Sequence, residues 1–186
     1  NTNAGVQVGD EGSEAVLRDN HIHGGKASGV CVCDKAKVTL ENNNIESNTN
    51  AGVQVGDEGS EAVLRDNHIH GGKASGVCVC DKAKVTLENN NIESNTNAGV
   101  QVGDEGSEAV LRDNHIHGGK EIGVLVCDKA KVTLENNNIE SNTGSGVQVG
   151  DEGSEAVLRD NHIHDGKQVG VLVCDKAKVT LENNNI

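Results

Sequence analysis

Gly5-Val6-Gln7-Val8 and Ala15-Val16-Leu17-Arg18-Asp19-Asn20-His21-Ile22, followed by Gly29-Val30-Cys31-Val32 and Val38-Thr39-Leu40-Glu41-Asn42-Asn43-Asn44-Ile45, form the stretch that decides the fold. Val6 and Val8, Ala15 and Leu17, then Ile22 stand two apart with polar residues between them, which is the period of a strand. The runs are short and β-branched, and Gly, Asn and Asp punctuate them. Turns fall near Asp10–Ser13, at Asp19-Asn20 and at Gly24–Ser28. The second half repeats the first, so each half is one coil of three short strands. Gly5 to Gly29 is 24 residues and Gly29 to Gly52 is 23.

Outward from this stretch the pattern repeats with a period of 47 residues, and Asn1–Ser47 recurs unchanged as Asn48–Ser94. A fixed period of this length marks a solenoid, whose units bury their apolar faces only by stacking. The expected fold is all-β: a right-handed parallel β-helix of eight coils of 23–24 residues, with three short strands per coil. It is a single domain over 1–186, built of repeats 1–47, 48–94, 95–141 and 142–186, and reads as a piece of a longer chain. The competing fold is a leucine-rich repeat, since Leu17-x-x-Asn20-x-Ile22 matches part of that consensus. One Leu per coil and the separate Gly-Val-x-Val strand favour the β-helix.

Composition agrees. There is no aromatic residue, Met or Pro, so the core must be narrow and filled by columns of Val, Leu, Ile and Ala. Asn20, Asn43, Asn67, Asn90, Asn114, Asn137, Asn161 and Asn184 take one position in all eight coils, where stacked amides make a structural ladder. Charges alternate along the axis: Glu11 with Lys35, Glu14 with Lys37, Arg18 with Glu41. A slip of one coil would bring like charges together, so these columns protect register. Asp10, Asp34, Asp57, Asp81 and their equivalents form a column of one sign, read as Asx turns bonding their own backbone, with a calcium-binding edge as the sharper alternative.

The net charge of −13 opposes binding to nucleic acid, which needs a basic stripe, and to anionic membranes. No apolar stretch approaches membrane-spanning length. Cys33, Cys80, Cys127 and Cys174 recur every second coil, about 9.6 Å apart at the usual strand spacing, beyond disulfide reach. Six free thiols are expected, which leans towards an intracellular setting.

The chemical candidate is His21-Ile22-His23, repeated at His68 and His70. With Ile22 inward both imidazoles face outward, and Glu46 falls in their column on the next coil, a donor set that suits zinc or another transition metal. The competing reading, a solvated face in which His23 and His70 flank Glu46, is favoured because the group recurs in every unit. No cofactor is expected, and each second histidine should have a raised pKa beside its glutamate. The outward Gly-Val-x-Val column lacks an acid, a base or an aromatic platform, and near-identical repeats leave no unique constellation, so no enzyme is expected. The third and fourth units place Leu125 and Leu172 where Cys31 stood, so Gln101, Leu125, Gln148 and Leu172 are the expected binding strip.

Leu17–Lys26 (Leu-Arg-Asp-Asn-His-Ile-His-Gly-Gly-Lys), Ile163–Val171 and Leu40–Ile45 resemble the carbohydrate-binding/sugar-hydrolase (CASH) repeats of the β-helix F-box proteins, across all four units. That resemblance implies a non-catalytic β-solenoid scaffold recognising a protein partner, as in the substrate-receptor region of a ubiquitin ligase. The alternatives are a carbohydrate-binding or polysaccharide-active β-helix acting on an acidic polysaccharide, and a structural rod. Head-to-tail self-association is also expected, since continued stacking would set Glu182 against an incoming Arg18 at open strand edges.

Overall fold

The computed structural model describes residues 2–186 and is a right-handed parallel β-helix without a helix among them. The first coil carries β1 (Val6–Val8), β2 (Glu14–Arg18) and β3 (His21–His23). The second carries β4 (Val30–Val32), β5 (Lys37–Glu41) and β6 (Asn44–Glu46). Equivalent strands stack into three parallel sheets of eight, eight and seven strands. The eighth coil closes the third sheet only through a bridge from His162 to Asn185. Register follows the repeat: Val6 pairs with Val30, Leu17 with Leu40 and Ile22 with Ile45.

Inward positions make the core. Leu40, Ile45, Leu64, Ile69, Leu87 and Ile92 are fully buried, with columns of Val and Ala between them. Each such Leu or Ile contributes about 1.5–3 kcal/mol by leaving water, and no aromatic is needed because each sheet lies close to the other two.

The turns explain the unequal coils. In the longer coil Ser13 N–H donates to Asp10 C=O at 3.0 Å across Gly12, whose φ of 83° is the type II position that demands glycine. In the shorter coil Asp34 (φ 54°) and Lys35 (φ 66°) are both left-handed and Ala36 N–H reaches Cys33 C=O, a type I′ turn. The aspartate column differs from the Asx expectation: Asp57 Oδ2 accepts from the backbone N–H of Asp34 on the preceding coil, at 3.2 Å. It ties coils together instead of closing its own turn.

The asparagines of the second turn form an unbroken ladder. Asn67 Oδ1 accepts from both the backbone N–H and the side-chain amide of Asn43, each at 2.9 Å, and the pattern continues to Asn184. A second amide column sits at Asn48, Asn95 and Asn142, where Oδ1 accepts the backbone N–H of Gly25, Gly72 and Gly119. The expected charge columns are ion-paired, with Lys35 Nζ 2.7 Å from Glu11 and Arg65 Nε 2.8 Å from Glu88. All six cysteines are free thiols.

Candidate functional site

The outer face of the third sheet carries the histidines because Ile22, Ile45 and Ile69 take the alternate inward positions. Along one column His21, Asn44, His68 and Asn91 are neighbours; along the other His23, Glu46, His70 and Glu93. The two rings of each strand stack, with centroids 4.4 Å apart for His21 and His23 and 4.0 Å apart for His68 and His70. Stacked rings turn their faces to each other, so His21, His23 and Glu46 do not aim three donor atoms at one point.

The hydrogen bonds run diagonally. His21 Nε2 lies 2.5 Å from Glu46 Oε1 and His68 Nε2 lies 2.5 Å from Glu93 Oε1. His70 Nε2 is 2.9 Å from Asn44 Oδ1 and only 3.8 Å from Glu46 Oε2. Glu46, Glu93 and Glu140 are therefore held below the usual carboxylate range, chiefly by hydrogen bonds from His21, His68 and His115. Burial, reinforced by the stacked neighbouring imidazole, pushes His70 and His117 down. This corrects the expectation of raised values: the glutamate is spent on the other histidine, and desolvation outweighs what charge attraction is left.

The pH consequence reverses with it. Below the ordinary histidine value of about 6.5 the unfolded chain takes up protons that folded His70 and His117 refuse, so stability falls as pH falls through that window. The glutamates add loss of the same sign below their unfolded values. Thermal melts should show a lower Tm at pH 5.5 than at pH 7.5, and H70Q/H117Q should flatten the difference. A Tm that climbs on acidification would contradict this geometry.

One position in the turn after the histidines breaks the repetition of this face. Gly24, Gly71 and Gly118 follow the second histidine with φ of 66°, 62° and 62°; in the fourth unit the residue is Asp165, with φ 53°. Aspartate tolerates this left-handed conformation better than most residues, at some cost relative to glycine. Its Oδ2 accepts from His164 Nδ1 at 2.8 Å, while His164 Nε2 lies 3.0 Å from Asn138 Oδ1 and 3.5 Å from Glu140 Oε2. Glu140, His164 and Asp165 gather donor atoms within 4.8 Å of one another. Sequence reasoning missed this group, although its signal was present in Ile163-His164-Asp165-Gly166, the one His-x-His turn that departs from Gly-Gly.

Three residues beyond each second histidine stand Lys26, Lys73, Lys120 and Lys167, exposed in the turn that leaves the third sheet. Among the described residues none of these four lysines forms an ion pair, unlike Lys35, Lys82, Lys129 and Lys176. The sheet edge thus gathers eight histidines and four free lysines against Glu46, Glu93 and Glu140, on a chain of net charge −13.

The expected binding strip lies on another face. Gln101, Leu125, Gln148 and Leu172 follow one another in register along the outside of the first sheet, with the leucines alternating with glutamine and not forming a continuous apolar band. The His–Lys edge belongs to the third sheet, so the two sets are not brought together.

Comparison with known proteins agrees with the fold and changes the functional expectation. The family described as right handed beta helix region matches residues 1–110 and 59–186. No curated protein sequence matches the chain significantly. Among solved structures, the A-module of the mannuronan C-5 epimerase AlgE6 of Azotobacter vinelandii superposes with a TM-score of 0.72 at 18% identity, covering 91% of this chain and 57% of that one. A point mutant of the periplasmic alginate epimerase AlgG gives 0.66 at 14% identity (96% and 46% covered), and the pectate lyase Pel9A 0.63 at 13% (97% and 54%). The chain spans about half the length of these structures. The expected non-catalytic scaffold for a protein partner is corrected here, and with it the exclusion of an enzyme: the similar solved β-helices are polysaccharide-modifying enzymes. Repetition does not by itself exclude a distinct group, since Asp165 gives the fourth unit a cluster with His164 and Glu140 that its glycine counterparts in the other units cannot form.

Proposed function

The chain belongs to the right-handed β-helix family, and from that premise we propose that it is the saccharide-contacting part of a polysaccharide-active β-helix. An acidic polysaccharide lies along the His–Lys edge of the third sheet, and His164 with Asp165 transfers a proton. The observation that carries this reading is the row of unpaired Lys26, Lys73, Lys120 and Lys167 beside the histidines. Coils rise by about 4.8 Å, close to the length of one sugar residue in an extended chain. The lysines recur every second coil and so meet alternate sugars on one side.

Net acidity does not defeat this. Charges more than about 8 Å apart are largely screened at physiological salt, and the glutamate columns of Glu11, Glu61 and Glu88 sit on the other edges, paired with Lys and Arg. Epimerisation and elimination of a uronate both begin by removing the proton from the carbon beside its carboxylate. Asp165 accepts the Nδ1–H of His164, and Nε2, which faces Asn138 Oδ1 at 3.0 Å, takes that proton in the neutral ring once the bound sugar displaces the asparagine. A lysine nearby offsets the negative charge that develops on the carboxylate.

The test has a binding arm and a chemical arm. Retention on polygalacturonate and polymannuronate should exceed that on neutral dextran, fall with salt, and drop at least about tenfold when the four lysines become glutamine. Incubation of polymannuronate in deuterated water should exchange the C-5 proton, read by NMR. D165G, which restores the turn of the other three units, should slow exchange by about 100-fold. Equal retention of the quadruple variant would overturn the binding surface; exchange unaffected by D165G would overturn the proton-transfer assignment.

A further inference from the structure

A second set of chemistry-bearing side chains lies on the outer face of the first sheet, away from the His–Lys edge. Cys31 is the central residue of β4 and points outward, because Val30 and Val32 on either side are fully buried. Cys33 leaves the strand two residues later on the same face, its Sγ donating to Val8 C=O at 3.9 Å. Cys78 and Cys80 repeat the arrangement, with Cys80 Sγ donating to Val55 C=O at 3.8 Å.

Two carboxylates stand beside the second thiol of each pair. Donor atoms of Cys33, Asp34 and Asp57 lie within 4.8 Å of one another, as do those of Cys80, Asp81 and Asp104. Asp34 comes from the same coil as the thiols and Asp57 from the next, and the backbone N–H of Asp34 holds Asp57 Oδ2 in place at 3.2 Å. Gly9 leaves the third side open. A Cβ there would stand 3.1 Å from Cys33 Sγ and 3.6 Å from Asp34 Oδ2; Gly56 does the same for Cys80 and Asp81 at 3.3 and 3.8 Å.

We propose that Cys31, Cys33, Asp34 and Asp57, and likewise Cys78, Cys80, Asp81 and Asp104, are two binding sites for a thiophilic divalent cation of the zinc–cadmium class. Two sulfurs and two carboxylate oxygens make a mixed tetrahedral donor set suited to such ions. Bonds of about 2.0–2.3 Å imply donor separations of roughly 3.3–3.8 Å, so Cys33, Asp34 and Asp57, already within 4.8 Å of one another, need only a small contraction, and Cys31 closes the set from its place two residues before Cys33 on the same face. Burial, with the hydrogen bond to Asp34, pushes the Cys33 thiol up to about 11, and a cation therefore enters by displacing thiol protons.

The chain contains its own control. The third unit gathers donor atoms of Cys127, Asp128 and Asp151 within the same 4.8 Å and the fourth keeps Cys174 with Asp175, but Leu125 and Leu172 replace the first thiol of each pair. With one sulfur each they should not form the site.

The experiment is a cadmium titration of the reduced chain at neutral pH, followed by the thiolate-to-cadmium charge-transfer band in the ultraviolet. Histidine and carboxylate ligands do not contribute to that band, so the His–Lys edge is silent in it. Saturation is expected at two equivalents per chain. C31L/C78L, which carries the leucines that units three and four already accommodate, should abolish the tight band. C127S/C174S should leave it intact, and D57N/D104N should weaken it by at least about tenfold. Saturation at any other stoichiometry, or a band that survives C31L/C78L, would overturn the assignment of the thiol pair. Unchanged affinity in D57N/D104N would overturn the mixed donor set.

Discussion

Replacing Asn90 by alanine should lower the unfolding free energy by about 3–5 kcal/mol, an effect concentrated in one buried side chain. Asn90 Oδ1 accepts from the backbone N–H and the side-chain amide of Asn67, both at 3.0 Å. Its own amide donates to Leu64 C=O at 2.9 Å, to Glu88 C=O at 3.1 Å and to Asn114 Oδ1 at 3.0 Å. The residue is 1% exposed, so water does not replace what is lost, and each orphaned buried group costs about 1–3 kcal/mol. Because each coil touches only its neighbours, a defect in the middle of the stack weakens the coupling between the two halves. Denaturant melts should therefore show a lower midpoint and a broadened or split transition. N90D sharpens the test. Its carboxylate would face Leu64 C=O and Asn114 Oδ1 without a proton to donate, so at neutral pH it should be less stable than N90A. It should recover as pH falls through its burial-raised pKa. A variant within 1 kcal/mol of the parent would mean that the amide ladder carries little of the fold.

The second large effect is expected at Gly76→Ala, at about 3 kcal/mol. Gly76 opens its Gly-Val-x-Val strand, where the backbone of one coil passes closest to the next. A Cβ there would stand 2.6 Å from Gly99 C=O, 2.7 Å from Ile92 Cγ2 and 2.8 Å from Asn95 Nδ2. The first contact is with backbone that is itself hydrogen-bonded, since Val77 N–H donates to Gly99 C=O at 3.0 Å. Relief therefore requires the coils to separate locally, which also disturbs the second amide column at Asn95. Gly24→Ala is the matching control: no atom lies within 4 Å of its added Cβ, and only the φ of 66° resists the change. Its cost should be about 1 kcal/mol. Calorimetry of both variants separates steric conflict from backbone preference, and equal losses would show that close approach at Gly76 is not the constraint.

The proposed saccharide edge and the amide ladders place opposite demands on the same coils. The ladders need identical residues in every coil, because each amide bonds its copies above and below. A proton-transfer site needs one coil unlike the rest. The chain meets both by varying only the turns and outward positions of its last two units, at Glu121, Ile122, Leu125, Asp165, Gln168, Val169 and Leu172, together with Gly144 and Ser145. The core columns stay constant throughout.

Coil length, strand count, sheet register and the composition of the core were legible in the sequence alone. The reason is physical: a parallel solenoid stacks each residue on its own equivalent one coil away, so period two along the strand and the coil repeat along the axis suffice to place every side chain inside or outside. The pairing of Leu17 with Leu40 and of Glu14 with Lys37 follows from that arithmetic. Which outward atoms touch was decided only by the tertiary structure, because contacts across coils depend on rotamers and turn geometry that periodicity does not encode. Glu46 shares a column with His23 and His70 yet bonds His21 on the diagonal, and this lowers the pKa of Glu46 and leaves burial to lower that of His70. Asp57 reaches back to the preceding coil instead of its own turn. Asp165 was readable as a departure from the repeat, but its hydrogen bond to His164, and with it the one constellation that the repetition does not copy, exists only once the turn is folded.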